Sequence, residues 1–466
     1  MIKLLEEIEI ARPLPEVFRY LADFSTIEQW DPGVYRSVKM TPGPVRVGTE
    51  YSLILNSGGR RVPMRYRTLE ITECSRILLK GEADSFSVTD LIEVQAVSED
   101  RTRVIYRADL TFKGGSALAE KALTPWLRRV GRAAVEGLRR AIETPSEPSS
   151  ESAMDRFKRT FVLPAAWDFT EKGYLSMPRK GLSDFMDGQV VVITGPTSGI
   201  GLAAACEFSR LGATLALVGR SATRLQAARD TVLAFSGRGP DSIQIFEAEL
   251  TLRSELTRVA HELLQVFPEI DVLVHNAGAL FTEREVTSEG HEKTFAIHVM
   301  APWILTEELR EPLRKAGGRV ILVSSGGMYT QALDVNDLES SGRPFDGVRA
   351  YARAKRAQMG LLRHWSQDAA WQGVGISAMH PGWARTPGVE KSLPGFGRLL
   401  GARLRDARMG ADTLVWLASA PEVAGHSGHF WLDRKVRPTE VFPGTHLSDS
   451  DQSLLISVLK GLAPTK

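Results

Sequence analysis

Residues 190–201 read VVVITGPTSGIG, an apolar run that stops abruptly in a glycine-rich turn. The apolar run predicts a buried strand, and the residues after the turn predict a helix. Gly195 permits the tight turn, while Gly199 and Gly201 allow close approach of the backbone to a phosphate group. The start of such a helix offers unpaired N–H groups and a partial positive charge to that phosphate. The predicted cofactor contacts in this loop are Gly195, Thr197, Ser198, Gly199, Ile200 and Gly201.

Strands and helices alternate along the chain after this turn. The predicted strands are Thr214–Val218, Ile243–Phe246 and Val272–His275, and the predicted helices are 199–211, 222–235 and 253–266. This alternation is typical of a parallel sheet with helices on both faces. Residues 188–445 are therefore predicted to form an α/β doubly wound Rossmann domain.

A smaller domain is predicted before the glycine-rich turn. Its β-rich stretches are Tyr51–Leu55, Arg65–Ile71, Ser87–Val97 and Thr102–Phe112. A short helix is predicted at Pro15–Ala22, and a long last helix at Leu118–Leu138. The sequence TPSEPSSESAMD at 144–155 has too few apolar residues to join a core, which indicates a linker. The predicted organisation is a first domain at 1–143, a linker and irregular lead-in at 144–187, the Rossmann domain at 188–445, and a C-terminal tail at 446–466 with an amphipathic helix.

Composition narrows the classes of partner. Lys and Arg number 58 against 56 Asp and Glu, a net charge of +2 that argues against a nucleic-acid partner. Two distant cysteines without CxxC spacing predict a reducing compartment, no disulfide framework and no metal site. The N-terminus lacks a signal-peptide layout, and no apolar run is long enough for a transmembrane segment. We expect a cytoplasmic protein; peripheral membrane contact and homo-oligomerisation remain open.

Five short motifs occur in a fixed order along the second domain. They are TGPTSGIG at 194–201, HNAG at 275–278, VSS at 323–325, YARAK at 351–355 and PGWART at 381–386. In this order they resemble the short-chain dehydrogenase/reductase (SDR) family. The stretches SSGGM, NDL, RPFDG and HPGW…TPGV further resemble the subgroup of dehydrogenase/reductase SDR family member 12. The resemblance implies an NAD(P)-dependent oxidoreductase acting on CH–OH and C=O groups.

The resemblance also implies further cofactor contacts. Those beside the adenosine are Glu249, Leu250, Asn276, Ala277 and Gly278, with Glu249 standing where the family has Asp. Those at the nicotinamide end are Tyr351, Lys355, Pro381, Gly382 and Thr386.

The second strand is followed by LVGRSATR at 217–224, which contains no acid. Members of the family that select NAD place an acid here to hold the ribose hydroxyls. Arg220 at this position can instead pair with a 2′-phosphate. The predicted cofactor is therefore NADP(H), with NAD(H) less favoured; the alternative is that Arg220 is a solvated surface residue.

Tyr351 and Lys355 lie four residues apart, so a helix places them on one face. The nearby ammonium group is expected to lower the pKa of the tyrosine, which makes proton exchange accessible. Ser325 is expected to hydrogen-bond the substrate oxygen. With His298, these residues form the predicted catalytic set.

Two features depart from the family pattern. His298 stands where the family usually has an Asn that holds a water in the proton relay. It either replaces the Asn in the relay, with a pH inflection near the free histidine value of about 6.5, or indicates weakened activity. The 26-residue step from Ser325 to Tyr351 is also long, so we expect the inserted segment to form a loop over the substrate. Steps of this length resemble the retinol-dehydrogenase side of the family, which implies a bulky apolar substrate. Trp383, Met328 and Tyr329 either line that pocket or pack in the core.

The pattern ARPLPEVFRYLADFSTIEQWDPGV at 11–34 resembles the START-like superfamily, also called SRPBCC, with its polyketide cyclase/dehydrase and lipid-transport members. This implies an α+β helix-grip domain around an apolar cavity. All nine histidines lie at or after His261, so ligand binding is favoured over catalysis. Phe18, Trp30 and Trp126 either line the cavity or belong to the core.

Together these observations predict an NADP(H)-dependent oxidoreductase that interconverts a carbonyl and an alcohol on a hydrophobic small molecule of lipid, retinoid, steroid or polyketide-like type. The START-like domain would bind the apolar ligand. Two alternatives are a non-catalytic regulatory protein that binds NADP(H) and lipid, and a bifunctional cyclase plus ketoreductase.

Overall fold

The computed structural model describes residues 2–41, 43–57, 60–113, 117–143, 169–176, 185–342, 344–385, 403–442 and 444–462. The chain divides into two compact units. The predicted linker at 144–155 and Thr386 lie outside the described residues.

The first unit is a seven-stranded antiparallel sheet with the order β1-β7-β6-β5-β4-β3-β2. Its strands are β1 Ile2–Ile10, β2 Val34–Lys39, β3 Glu50–Ser57, β4 Arg60–Thr72, β5 Arg76–Glu82, β6 Phe86–Ser98 and β7 Arg101–Phe112. Its helices are Leu14–Ala22, Ile27–Trp30 and Ala117–Glu143. Alternate residues of β5 and β6 are buried, as a sheet with one covered face requires. Leu127, Ala134 and Leu138 of the long helix share the core of this face, which confirms the predicted α+β class.

The second unit is an eight-stranded sheet with the order β10-β9-β8-β11-β12-β13-β14-β15. Its strands are β8 Val190–Thr194, β9 Thr214–Gly219, β10 Ile243–Glu247, β11 Val272–His275, β12 Arg319–Val323, β13 Gly375–Met379, β14 His429–Leu432 and β15 Lys435–Arg437. Neighbouring strands are parallel except β14 and β15. The strand order reverses between β8 and β11, and ligands of such sheets bind at the carboxyl ends of the strands beside that reversal. The predicted Rossmann class is confirmed.

The helices of this unit include those predicted from periodicity, with ends within a residue or two. They are Glu171–Ser176, Gly199–Arg210, Ala222–Ser236, Arg253–Val266, Lys293–Phe295, Ala301–Glu308, Arg310–Ala316, Gly347–Gln367, Ala407–Ser419 and Asp449–Leu462. A single π-helical turn, Ala296–Met300, joins two of them. The last helix is the amphipathic helix predicted for the tail, and its Leu455 and Leu459 are buried.

Two buried ion pairs hold the turn between β14 and β15. Asp433 and Arg434 both have positive φ, at 54° and 57°, a conformation that non-glycine residues adopt only when their surroundings hold it. Arg405 binds Asp433 at 2.6 Å with both side chains almost fully buried, and Arg434 binds Asp412 at 2.7 Å. The Arg405 Nε also donates to the carbonyl oxygen of Thr170, so this part of the predicted lead-in packs on the second unit.

We expect Asp433→Ala to lower the free energy of unfolding of the second unit by about 3–5 kcal/mol, because it leaves the Arg405 guanidinium buried without its counter-charge. Urea titration of the full chain, monitored by hydrogen exchange in β13, measures the change. Glu255→Ala is the matched control: its partner Arg258 is exposed, and loss of such a pair costs about 1 kcal/mol or less. Equal losses in the two variants would contradict this role for the buried pair.

Candidate active site

The glycine-rich loop after β8 is clamped by residues that follow β11. The amide nitrogen of the Asn276 side chain donates to the carbonyl oxygens of Thr194 and Gly195 at 3.0 and 2.9 Å. The Thr194 hydroxyl accepts from the backbone N–H groups of Asn276 and Ala277, both at 3.1 Å. The TGPTSGIG and HNAG motifs therefore form one rigid element at the sheet reversal.

Two glycines of the loop make this close approach possible. A Cβ at Gly201 would lie 2.3 Å from the Asn276 side chain, and a Cβ at Gly195 would lie 2.8 Å from the Cα of Ala277. Ser198 precedes the helix Gly199–Arg210 without capping it by a side-chain hydrogen bond. The bare loop and the uncapped helix start therefore fit the pyrophosphate of a dinucleotide.

The next two strands end at the same edge of the sheet. Arg220 directly follows β9 and is exposed. Glu249 follows β10, and its carboxylate accepts from the backbone N–H and the hydroxyl of Thr251 at 3.2 and 2.9 Å. Leu250 beside it is buried. The predicted adenosine-end residues thus lie along one edge, on neighbouring parallel strands.

The predicted reacting groups converge after β12. Tyr351 and Lys355 lie on the helix Gly347–Gln367, with the Lys355 Nζ 5.6 Å from the centre of the Tyr351 ring. That Nζ donates to the carbonyl oxygen of Val323, the last residue of β12, at 2.7 Å. Ser325 follows two residues later and hydrogen-bonds Tyr351. The VSS and YARAK motifs are thereby joined at the carboxyl edge of the sheet.

Burial dominates the electrostatics of this pair. It raises the pKa of Tyr351, against a smaller opposite effect of the hydrogen bond with Ser325. It lowers the pKa of Lys355 to about 7. The expectation that the ammonium group lowers the pKa of the tyrosine is therefore wrong for the protein alone, because desolvation disfavours both charged forms.

His298 lies beside this pair on the π-helical turn, 1% exposed. Its ring stands perpendicular to that of Tyr351, with centroids 5.0 Å apart. Nε2 lies 2.8 Å from the carbonyl oxygen of Ala279, and Nδ1 has no hydrogen-bond partner among the described residues. Burial, and then the charge of Lys355, hold the pKa of His298 well below 6.5. The expected inflection near pH 6.5 is therefore wrong, because the ring is neutral throughout the neutral range.

The turn after β13 carries a histidine that sequence reasoning missed. His380 is 3% exposed, and burial lowers its pKa to about 3. Its Nδ1 accepts from the backbone N–H of Gly382 at 3.1 Å, while a Cβ at Gly326, next to Ser325, would lie 2.8 Å from its Nε2. The ring of Phe169 packs on it at 4.6 Å. The sequence signal for this residue is a histidine directly before the PG pair. In the structure, His380 links the turn at Pro381 and Gly382 to the loop that carries Ser325.

The segment between Ser325 and Tyr351 is anchored to its own domain. Met328 is fully buried in the core, and the Tyr329 hydroxyl donates to the carbonyl oxygen of Pro438 at 2.7 Å. Glu339 accepts from the backbone N–H of Glu292 at 2.8 Å and lies 3.0 Å from the His291 ring. For Met328 and Tyr329, which were expected either to line a pocket or to pack in the core, the structure shows packing in the hydrophobic core of the second unit.

Among the described residues, no helix is both long enough and apolar enough to cross a membrane.

Comparison with known proteins finds relatives of both parts of the chain. Residues 189–395 match the family model of short chain dehydrogenases, and residues 1–143 match that of polyketide cyclase/dehydrase and lipid transport proteins. Dehydrogenase/reductase SDR family member 12 of Bos taurus is 38% identical over 312 residues, which cover 64% of this chain and 97% of that protein. Retinol dehydrogenase 14 of Mus musculus is 32% identical over 265 residues, 54% of this chain and 79% of that protein. The solved structure of levodione reductase, 22% identical, covers 53% of this chain and 95% of its own with a TM-score of 0.44.

The motifs occur in the order typical of the family, their residues meet at the carboxyl edge of a doubly wound sheet, and the match covers nearly all of one relative. The chain therefore belongs to the short-chain dehydrogenase/reductase family, the NAD(P)-dependent oxidoreductases of CH–OH and C=O groups, and carries a polyketide cyclase-type START-like domain before the Rossmann domain.

Proposed function

We propose that the protein is an NADP(H)-dependent oxidoreductase that interconverts a carbonyl and an alcohol on a hydrophobic small molecule, and that its START-like domain binds the apolar ligand. The convergence of Ser325, Tyr351 and Lys355, at the same edge of the sheet as the glycine-rich loop, carries the proposal. Similarity to retinol dehydrogenase 14, a 32% identical relative, supports a bulky apolar substrate.

When bound, the nicotinamide would supply or accept the hydride. The Ser325 hydroxyl would hydrogen-bond the substrate oxygen and stabilise the charge that develops there. The Tyr351 hydroxyl, protonated at neutral pH because burial raises its pKa, would donate its proton to that oxygen in the reductive direction. Lys355, whose Nζ donates to the carbonyl oxygen of Val323, would hold the nicotinamide ribose.

Tyr351→Phe keeps the ring and removes the group that exchanges the proton. We expect turnover to fall by roughly 10²–10⁴-fold, the usual contribution of a positioned acid or base, while cofactor affinity survives. Steady-state rates with retinoid, steroid and quinone carbonyls, beside cofactor titration, measure both. Tyr329→Phe is the matched control, since that hydroxyl bonds the backbone of Pro438. Unchanged turnover in Tyr351→Phe would refute the assignment, whereas the absence of turnover by the unmutated protein with all of these substrates would favour the regulatory alternative.

We further propose that His298 replaces the family Asn as a neutral relay group. With Nε2–H donated to Ala279, the unprotonated Nδ1 is left to accept a hydrogen bond. Its position against the Tyr351 ring supports this role over a packing substitution.

His298→Asn should retain substantial activity, because it restores the residue of the family. His298→Leu should lose activity, because an apolar side chain interrupts the hydrogen-bonded relay. Since the pKa of His298 lies well below 6.5, the pH–rate profile of the unmutated protein should lack an inflection near that value. Full activity in His298→Leu, or an inflection near pH 6.5 that vanishes in His298→Asn, would contradict the neutral relay.

Preference for NADP(H) is supported by the position of Arg220. It directly follows β9, where NAD-selective relatives carry an acid, and its side chain is exposed to receive a 2′-phosphate.

We expect NADP(H) to bind more tightly than NAD(H), and Arg220→Asp to reverse the order. Loss of a charge-assisted hydrogen bond to phosphate costs about 1.5–3 kcal/mol, roughly ten- to a hundredfold in affinity. Fluorescence titration with both reduced cofactors measures the ratio. Arg314→Asp is the control, because its helix precedes β12 and so lies toward the opposite edge of the sheet. Equal affinity of the unmutated protein for both cofactors would contradict the assignment.

A further inference from the structure

A cluster of polar side chains lies on the covered face of the N-terminal sheet. Asp90 of β6 is 2% exposed, and its cross-strand partners on this face are Leu79 and Ala108. Tyr66 of β4 and Tyr106 of β7 flank it on either side, and their hydroxyls stabilise its carboxylate form. We call Asp90, Tyr66 and Tyr106 the polar cluster.

The polar cluster is not fully satisfied by the residues that the structure describes. Asp90 Oδ2 has no hydrogen-bond partner among them, and neither has the Nε1 of Trp30, a 3% exposed residue whose ring lies 6.1 Å from that of Tyr106. Burial, with a smaller contribution from the charge of Asp31, raises the pKa of Asp90 to about 7 against the opposite effect of the tyrosine hydrogen bonds. An unpartnered carboxyl oxygen in a core is costly, so its presence calls for a partner that the described residues do not supply.

The backbone makes room for this arrangement. Gly81 of β5 pairs with Tyr66, and a Cβ there would lie 2.4 Å from the Tyr66 Cζ. The tyrosine ring therefore lies flat over the strand, a placement that any larger residue at position 81 would prevent. A glycine in the middle of a strand weakens the sheet, which is consistent with a specific use for the ring it accommodates.

We propose that the polar cluster, with the Trp30 N–H, is a binding site for a neutral hydroxyl or carbonyl oxygen on an otherwise apolar ligand. This rests on the proposed function, in which the START-like domain binds an apolar molecule. It adds a recognition element: the ligand is held by its oxygen as well as by its apolar surface.

The chemistry of the groups selects this class of ligand. The Tyr66 and Tyr106 hydroxyls are engaged with Asp90, so the indole N–H of Trp30 is the donor left over among the described residues, and the ligand must offer it an acceptor lone pair, which an ammonium group lacks. Asp90 and Asp31 repel a ligand carboxylate or phosphate. A hydroxyl group meets both demands, because it accepts from the Trp30 N–H and donates to Asp90 Oδ2; a carbonyl oxygen accepts from the Trp30 N–H and from the protonated form of Asp90.

The isosteric pair 2-naphthol and 2-methylnaphthalene tests the proposal on the full chain. Hydrogen exchange of peptides from β4, β6 and β7, measured against probe concentration, confines the readout to the N-terminal sheet. We expect 2-naphthol to protect these strands at roughly tenfold lower concentration than 2-methylnaphthalene, the effect of one or two hydrogen bonds. Trp30→Phe, which removes the unpartnered N–H, should reduce that difference. Tyr51→Phe, which removes a buried hydroxyl already bonded to the Ala22 carbonyl oxygen, should keep it.

Each other outcome has a defined meaning. Equal protection by the two probes would overturn the polar cluster as a site while leaving apolar binding by the domain in place. No protection by either would overturn the proposed ligand-binding function itself. Tighter binding of 2-naphthylmethylamine than of 2-naphthol would show a cation site instead.

Asp90→Leu separates a binding role from a structural one. If the carboxyl group serves a ligand, this variant should lose the preference for 2-naphthol; exchange of β6 without probe is expected to become faster in either case, because the Tyr66 and Tyr106 hydroxyls lose their acceptor. Faster exchange of β6 with the naphthol preference retained would show that Asp90 only supports the fold.

Discussion

The approach of the β8 turn to the residues after β11 is the constraint on which the second unit depends. Asn276 bonds two carbonyl oxygens of this turn, and a Cβ at Gly201 would collide with the Asn276 side chain. The clamp fixes where the following helix begins and holds the two central strands together at the reversal of the sheet. Because β9, β10 and β12 are parallel to these two strands, it also fixes the edge at which the residues after β9, β10 and β12 meet.

Exclusion of water, more than ion pairing, sets the electrostatics of the reacting centre. Lys355 has a backbone carbonyl as its hydrogen-bond partner, and burial lowers its pKa to about 7. The same burial keeps Tyr351 protonated and His298 neutral. The contrast with Arg405 is instructive: that residue is as deeply buried, yet it keeps a carboxylate partner and serves to hold a turn.

Much of the second unit could be predicted from its sequence, because long periodic segments and turn glycines are properties of the chain itself. In the first unit, β1, β2 and β5 were missed: the acidic run in Ile2–Ile10, for example, does not look like a strand until its alternate residues are paired with β7. Desolvation was missed for a related reason. Spacing placed Lys355 beside Tyr351 correctly, but how far both lie from water depends on residues distant in the sequence, and this reversed the expected direction of the tyrosine pKa.

Three of the unpartnered buried polar atoms share a feature that spacing alone does not reveal. They are His298 Nδ1, His380 Nε2 and Asp90 Oδ2, and a glycine whose missing Cβ leaves room for a ring lies beside each histidine or beneath the tyrosine that flanks the aspartate: Gly278, Gly326 and Gly81. In a core built only for stability, such a position would take a larger apolar residue and the polar atom would be replaced. A glycine that makes room for a ring next to an unsatisfied donor or acceptor lowers the stability of the fold. In return, it leaves a polar atom that can bind a ligand or substrate. In the second unit this combination marks the reacting centre, and the same physical argument in the first unit points to the covered face of its sheet.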